Sequence, residues 1–356
     1  MTKAQAYHGG ASFEAIGVDL THLERSREVV TADVLDAWFD PAPEVLETLR
    51  RHLAFLVKSS PPSHAEGFVE EVARRRGVPR ESVLAGAGSS SLLFACLPRM
   101  LAPGRKVLVP DPMYGEYEHL AGTLLGCPLA RLELREADAF ALRLEALEEL
   151  VQLERPQAVL LVNPNNPTGR YWPLERVLEL VEAAGEEILV VVDETYLEYA
   201  GEGLSLESEA ARRPNLAVVK SMSKVYALSG VRAGYMVVHP DRAEELGQWL
   251  PPWPVGLLSQ AAAMEALRHP DYYRAKYEET RALREEFTRA VRHLNPLKSD
   301  ANFFLIRPER PAELAARLRG EGIYLREFFS GPLAGRYLRI AVRSREENVR
   351  MAEAMR

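Results

Sequence analysis

The sequence predicts an α/β protein: a mostly parallel sheet followed by a smaller α+β unit toward the C-terminal end. Three observations carry this. Between residues 83 and 238, short runs rich in Val, Leu and Ile alternate with amphipathic stretches of helical period, as crossover units in a sheet buried on both faces do. Most connections between those runs are short, as compact domains prefer. A proline-rich piece, Pro251-Pro252-Trp253-Pro254, then interrupts the pattern, and a second, shorter set of strands and helices follows.

Taken in order, the strands are expected at 106–110, 129–134, 158–163, 188–193, 216–221 and 232–238, with helices near 90–100, 114–125, 144–153 and 174–184. A long charged helix over about 271–294 is suited to bridging two lobes. Beyond it the sequence reads as a strand at 303–306, a helix at 312–319, a strand at 337–343 and a last helix. That helix opens with Ser344-Arg345-Glu346-Glu347, the spacing of a reciprocal capping box. The segment up to about residue 76 is helical but irregular, with breakers at Pro41, Pro43, Pro61 and Pro62. The expected division is 1–40 as an N-terminal segment serving the small lobe or dimer contacts, 41–255 as the large domain, and 256–356 as the interdomain helix with the small domain.

Composition narrows the function. The 356 residues are 47% hydrophobic and 27% charged, a globular rather than a disordered balance. With 44 basic against 51 acidic residues the net charge is -7, which argues against nucleic-acid or anionic-lipid partners and for a small-molecule substrate. Two cysteines, Cys96 and Cys127, form no disulfide framework and no metal-ligand spacing, which points to a reducing, cytoplasmic setting without structural zinc. No signal-peptide core and no run long enough to cross a bilayer is present.

The chemistry gathers at strand ends. Lys224, one of only seven lysines, follows the run Leu216-Ala-Val-Val-Lys-Ser-Met-Ser. A lysine desolvated there can act as a neutral amine, although a surface lysine is the ordinary alternative. Asp193 ends the run Ile188-Leu-Val-Val-Val-Asp193 and is followed by Glu194-Thr195-Tyr196. It can hold a proton on a heteroaromatic nitrogen, or serve as a helix cap or metal ligand. A third strand ends in Asn163-Pro164-Asn165-Asn166-Pro167-Thr168-Gly169. In an open α/β sheet these carboxyl ends face one ligand crevice. Gly86-Ala87-Gly88-Ser89-Ser90-Ser91 precedes a helix and offers amides and hydroxyls to an anion, and Ser221, Ser223 and Arg232 can supply the other half of a phosphate cradle. Tyr114 can stack on a planar ring.

Together the motifs GxGSSS, DPxYxEY, NPNNPTG, VVDETY, SMSKxxxLxGxRxGY and YLRIAVRSREEN resemble the fold-type-I pyridoxal-phosphate enzymes of aminotransferase class I/II, nearest the histidinol-phosphate aminotransferases and threonine-phosphate decarboxylases. The resemblance runs from about residue 33 to the C-terminus. It implies a seven-stranded large-domain sheet, a homodimer, pyridoxal 5'-phosphate as cofactor and a ping-pong transamination of an amino acid, phosphorylated or plain. It also implies roles: Lys224 as the Schiff-base lysine, Asp193 at the pyridine nitrogen, Tyr196 and Asn166 at the phenolic oxygen and Tyr114 on the ring. Ser89, Ser90, Ser221, Ser223 and Arg232 would hold the phosphate, and Arg339 the substrate α-carboxylate. A decarboxylase or another lyase on the same cofactor is the alternative. A cofactor-sensing regulator is remote, because the residues ahead of 83 have neither the length nor the basic patch of a DNA-binding domain.

Some residues depart from that pattern. Ser60 stands where the histidinol-phosphate aminotransferases carry a tyrosine that reaches across the subunit boundary. Ala11 replaces an Asn of the decarboxylases, and Glu327-Phe328-Phe329-Ser330 replaces their cysteine-containing segment. Arg343 lies four residues past Arg339, roughly 13 Å along a strand, too far to share one carboxylate. Arg343, with Arg326 or His8, is therefore expected either to meet a distal group of the substrate or to form a structural ion pair.

Overall fold

The computed structural model describes residues 9–356; His8, expected among the substrate contacts, lies outside them. Eleven strands are present among the described residues. In chain order they are β1 (Val30–Ala32), β2 (Val83–Gly86), β3 (Val107–Asp111), β4 (Leu129–Glu133), β5 (Ala158–Val162), β6 (Leu189–Asp193), β7 (Leu216–Ser221), β8 (Gly234–Val238), β9 (Phe303–Ile306), β10 (Ile323–Glu327) and β11 (Leu338–Ala341). They form a seven-stranded sheet of order β2-β8-β7-β6-β5-β3-β4 and a four-stranded sheet of order β1-β10-β11-β9.

The large sheet is parallel except for β8, which runs antiparallel to both β2 and β7. Its central strands β5, β6 and β7 are buried at every residue, which is why they read as continuous apolar runs rather than alternating ones. Successive residues of β5 serve opposite faces: Val159 and Leu161 pack with the helices Leu144–Glu154 and Leu174–Ala184, while Ala158, Leu160 and Val162 join the cluster under Ser89–Met100.

Several expectations need correcting. The strand expected from 232 begins at Gly234, because Arg232 sits in the preceding turn with φ +62°. The single helix expected over 114–125 is an α-helical turn, Gly115–Glu118, that passes into a π-helical turn, His119–Leu124. The strand expected over 337–343 stops at Ala341. Strands β1, β2 and β10 were not anticipated. β1 adds in parallel to the small sheet through Val30 opposite Ile323, so the segment ahead of the first long helix, Pro43–Lys58, is partnered with the C-terminal strands. The capping box at Ser344 forms in both directions.

The helix Pro270–Ala290 ties the two sheets together. Tyr277 donates to the Val225 carbonyl at 2.9 Å and Arg284 to the Ala301 carbonyl at 2.5 Å. Behind the large sheet lies a buried ionic network: Lys220 Nζ is 3.2 Å from Glu194 and 2.9 Å from Glu198, and Arg76 bonds Glu198 at 3.1 Å and the Tyr235 and Tyr226 hydroxyls. Tyr235 donates in turn to Glu207. Lys220, Glu194 and Glu207 are buried, Arg76 and Glu198 mostly so, and each charge is held by another, the arrangement that makes such burial tolerable.

Candidate active site

Each of three adjacent strands ends by presenting one polar side chain, and local hydrogen bonds explain which one. After β5, Asn163 is consumed by the backbone of Trp172 in both directions at 2.9 Å, and Asn165 by the Pro112 carbonyl and the Thr168 hydroxyl at 3.0 Å. Asn166 is left to face the crevice, where its amide donates to the Tyr196 hydroxyl at 3.2 Å. At the end of β6, Asp193 Oδ1 accepts from the Thr195 amide at 2.9 Å and hydroxyl at 2.5 Å, and Oδ2 accepts from the Tyr117 hydroxyl at 3.0 Å. Asp193 is buried. Burial pushes its carboxyl above the usual range, and the bonds from Thr195 and Tyr117 and the charge of Lys220 oppose that shift without cancelling it.

After β7, Ser221 caps the short turn Met222–Val225 by accepting from the Ser223 amide, and that turn carries Lys224. The lysine is not simply desolvated, as expected. Its Nζ lies 2.7 Å from Asp36 Oδ1, and the Ser229 hydroxyl donates to the same oxygen at 2.6 Å. Burial pushes the Asp36 carboxyl up, but the Lys224 charge and the hydrogen bonds from Lys224 and Ser229 outweigh it and hold the carboxyl below its ordinary range. Sequence reasoning missed Asp36, and also Tyr117 and Thr195 as the partners that fix Asp193.

The expected phosphate residues converge from two segments. Arg232 Nη1 donates to the Ser223 hydroxyl at 3.2 Å and to the Ser229 carbonyl at 3.0 Å. Opposite it is the turn that opens the helix Ser89–Met100, whose first amides are free as at any helix start. Two glycines permit the approach. A Cβ on Gly88 would lie 2.6 Å from Arg232 Nη2, and one on Gly234 would lie 2.6 Å from the Ser89 amide nitrogen. The glycines thus let the Arg232 guanidinium and the Ser89 amide come close to the turn, and with the Ser223 hydroxyl bonded to Arg232 they make a donor set that fits a phosphate ester.

Lys224, Ser90, Tyr114, Asn166, Tyr196 and Arg339 line one cavity of about 1130 Å³. Tyr114 stands on its wall, edge to face with Tyr117 at 6.3 Å between ring centroids, and burial pushes its hydroxyl well up. Arg339 is buried and spans three parts of the chain: Nη1 donates to Asn166 Oδ1 at 2.7 Å and Nη2 to the Asp33 carbonyl at 2.9 Å. Burial pulls its guanidinium down to about 10, with the Tyr196 hydroxyl opposing and the like charge of Arg326 adding to the shift, so it stays charged at neutral pH. Arg326 lines the same cavity and stands directly opposite Arg339 in the β10–β11 pairing.

Arg343 is not brought to the cavity wall. It leaves the strand because Asn348 bonds both its amide and its carbonyl, and its guanidinium reaches the Asp36 carbonyl at 3.2 Å and Glu347 at 3.6 Å. That is the structural alternative. Ser60 is exposed, just past the end of the helix Pro43–Lys58, and lines no part of this cavity.

A seven-stranded, mostly parallel sheet whose strand ends bring together an amide, an acid and a lysine beside a phosphate cradle defines a pyridoxal-phosphate enzyme of fold type I. The chain belongs to the aminotransferase class I and II family, whose model matches residues 33–355, and it is a pyridoxal-phosphate-dependent aminotransferase. A histidinol-phosphate aminotransferase of Desulfitobacterium hafniense is 32% identical over 335 residues, 90% of each chain. The crystal structure of histidinol-phosphate aminotransferase from Sinorhizobium meliloti in complex with pyridoxal-5'-phosphate superimposes with a TM-score of 0.84 at 25% identity, covering 99% of this chain and 97% of that one. The L-threonine-O-3-phosphate decarboxylase of Porphyromonas gingivalis has the same fold, with a TM-score of 0.76 at 23% identity over 90% of this chain and 98% of that one.

Proposed function

We propose that this aminotransferase takes its amino group from a small amine that carries a phosphate, or delivers it to the matching phosphorylated carbonyl compound, histidinol phosphate being the compound named in its relatives. The observation that carries the reading is the pair Arg326 and Arg339, two guanidinium groups opposite one another on the wall of the cavity that holds Lys224. Two adjacent forks suit a dianion better than a single carboxylate. In the half-reaction with an amino acid, Arg339 takes the α-carboxylate.

Pyridoxal phosphate bonded to Lys224 supplies an electron sink that weakens the bonds at the amine-bearing carbon of the substrate. The residues of this chain do the rest. Asp193, fixed through both oxygens, would keep a proton on the pyridine nitrogen. Tyr196 accepts from Asn166, so its own proton is free to be donated to the phenolic oxygen. Ser89, Ser90, Ser221, Ser223 and Arg232 would hold the phosphate, Tyr114 would cover the ring, and the Lys224 amine would hold and move the proton at the amine-bearing carbon of the substrate. We read residues 1–40 as an N-terminal segment serving the small lobe or dimer contacts, 41–255 as the cofactor domain and 256–356 as the connecting helix and small domain. We further read the enzyme as a cytoplasmic homodimer, in keeping with two free, buried cysteines and with Leu53, Phe55 and Val57 exposed on one helix; light scattering tests the dimer. Among the described residues no helix is long and apolar enough to cross a membrane.

The test is a substrate screen on the loaded enzyme with histidinol phosphate, threonine phosphate and plain amino acids, scoring keto product against released CO2. Arg326→Ala is expected to raise KM for the phosphorylated substrate roughly 10- to 100-fold, the loss of one charge-assisted bond, and to leave KM for a plain amino acid within about twofold. Equal effects on both, or CO2 as the product, refute the reading.

A further inference from the structure

Aminotransfer needs an amine that is released, held in place and returned, yet a free lysine side chain has four rotatable bonds and roughly 2 kcal/mol of rotamer entropy. In this chain a carboxylate waits for it. Asp36 lies in the coil after β1, lines the cavity, and meets Lys224 Nζ at 2.7 Å. It is itself oriented by Ser229, whose single hydroxyl proton is donated to the same Oδ1 at 2.6 Å, with the Ser223 carbonyl 3.1 Å from that hydroxyl. Ser223 in turn accepts from Arg232. The carboxylate is thereby keyed to the phosphate cradle through two hydroxyls.

We propose that Asp36 is a positioning residue for Lys224: it receives the lysine amine whenever that nitrogen is not bonded to the cofactor, and it favours the protonated form of the nitrogen in both situations. The proposal rests on the assignment of Lys224 as the cofactor-bonding lysine. Other groups face Asp36 as well. Arg343 comes from the segment after β11, with Nη1 on the Asp36 carbonyl, and the buried phenols of Tyr196 and Tyr199, beyond β6, feel its charge. Arg343 and Lys224 both favour a charged carboxylate, which agrees with the lowered Asp36. Burial raises both phenols, which stay neutral at working pH.

The sign follows from charge alone. A carboxylate in contact favours a cation beside it, so its removal moves the midpoint of the visible absorption of the loaded enzyme to lower pH. The Asp36 side chain is 44% exposed, so the shift is expected near the lower end of the range for contacting opposite charges, about one pH unit.

The experiment titrates the visible absorption of the cofactor-loaded enzyme across pH for wild type, Asp36→Asn, Asp36→Glu and Ser229→Ala. It also follows the rate at which cofactor-free protein captures pyridoxal phosphate, and compares melting temperatures. Asp36→Asn is expected to move the midpoint down by about one unit and slow capture with melting little changed, Asp36→Glu to restore most of the midpoint, and Ser229→Ala to give a smaller shift of the same sign. kcat is expected to fall in Asp36→Asn with KM held. A midpoint in Asp36→Asn within about 0.2 unit of wild type overturns the proposal, as does a rise in KM with kcat unchanged, which makes Asp36 a substrate contact. A wild-type protein with no visible band overturns the Lys224 assignment along with it, whereas a normal band with an unmoved midpoint overturns the Asp36 role alone.

Discussion

Gly88 offers the sharpest test of the phosphate cradle. Its backbone sits at φ +83°, ψ +164°, a region essentially closed to side chains, and Gly88→Ala is expected to cost about 1–3 kcal/mol from that conformation alone. For a chain of this length that is a fall of a few degrees in melting temperature. The new Cβ would also lie 2.6 Å from Arg232 Nη2 and 3.2 Å from its Cζ, so the guanidinium must leave its seat. Losing one charge-assisted bond to a phosphate costs about 1.5–3 kcal/mol, roughly a 10- to 150-fold rise in the cofactor dissociation constant. The assay is titration of cofactor-free protein with pyridoxal phosphate, alongside thermal melts, for Gly88→Ala and for Arg232→Ala. Both variants should lose affinity to a similar degree, and the glycine variant alone should also lose stability without cofactor. If Gly88→Ala binds as wild type does, Arg232 does not hold the phosphate and the cradle is wrongly assigned.

Three further outcomes are expected. Tyr117→Phe removes a hydrogen bond that lowers Asp193, so the carboxyl rises further and the acid limb of the kcat profile moves to higher pH; a stationary limb separates that bond from catalysis. Lys220→Met leaves Glu194 and Glu198 buried without their shared cation and should lower the unfolding free energy by about 3–5 kcal/mol in urea titration. The Asp36–Lys224 pair should add roughly 0.2–1 kcal/mol to the cofactor-free protein. Because the folded Asp36 carboxyl is lowered from its ordinary 3.8, that contribution is present above 3.8 and fades as pH falls through the lowered value, so wild type and Asp36→Asn should converge in melting temperature on acidification.

Much of the large sheet was legible because its central strands are buried on both faces. Leu216–Ser221 was placed to the residue, and β5 and β6 to within one. Strand β10 escaped because its half-buried end carries two charges, Arg326 and Glu327, and β1 because three residues are too few to show a period. Lys224, Asp193 and Asn166 were legible because a strand end in a parallel sheet has one place to point. Asp36 was not: it meets Lys224 across 188 residues of sequence, and nothing local in Asp33-Val-Leu-Asp36 marks the contact. Arg343 takes the ion-pair alternative because Asn348 and the Ser344 cap end the strand two residues before the expected 343.

The ionic knot behind the large sheet has a bearing on the active site. Arg76, Glu194, Glu198, Glu207 and Lys220 come from a helix near the start of the chain, the loop past β6, a later turn and β7. The early helix and β7 therefore share one set of counter-charges, and the turn bearing the reactive amine is built on the end of β7. A change in that distant front end is thus wired, through charge, to the strand on which the chemistry stands.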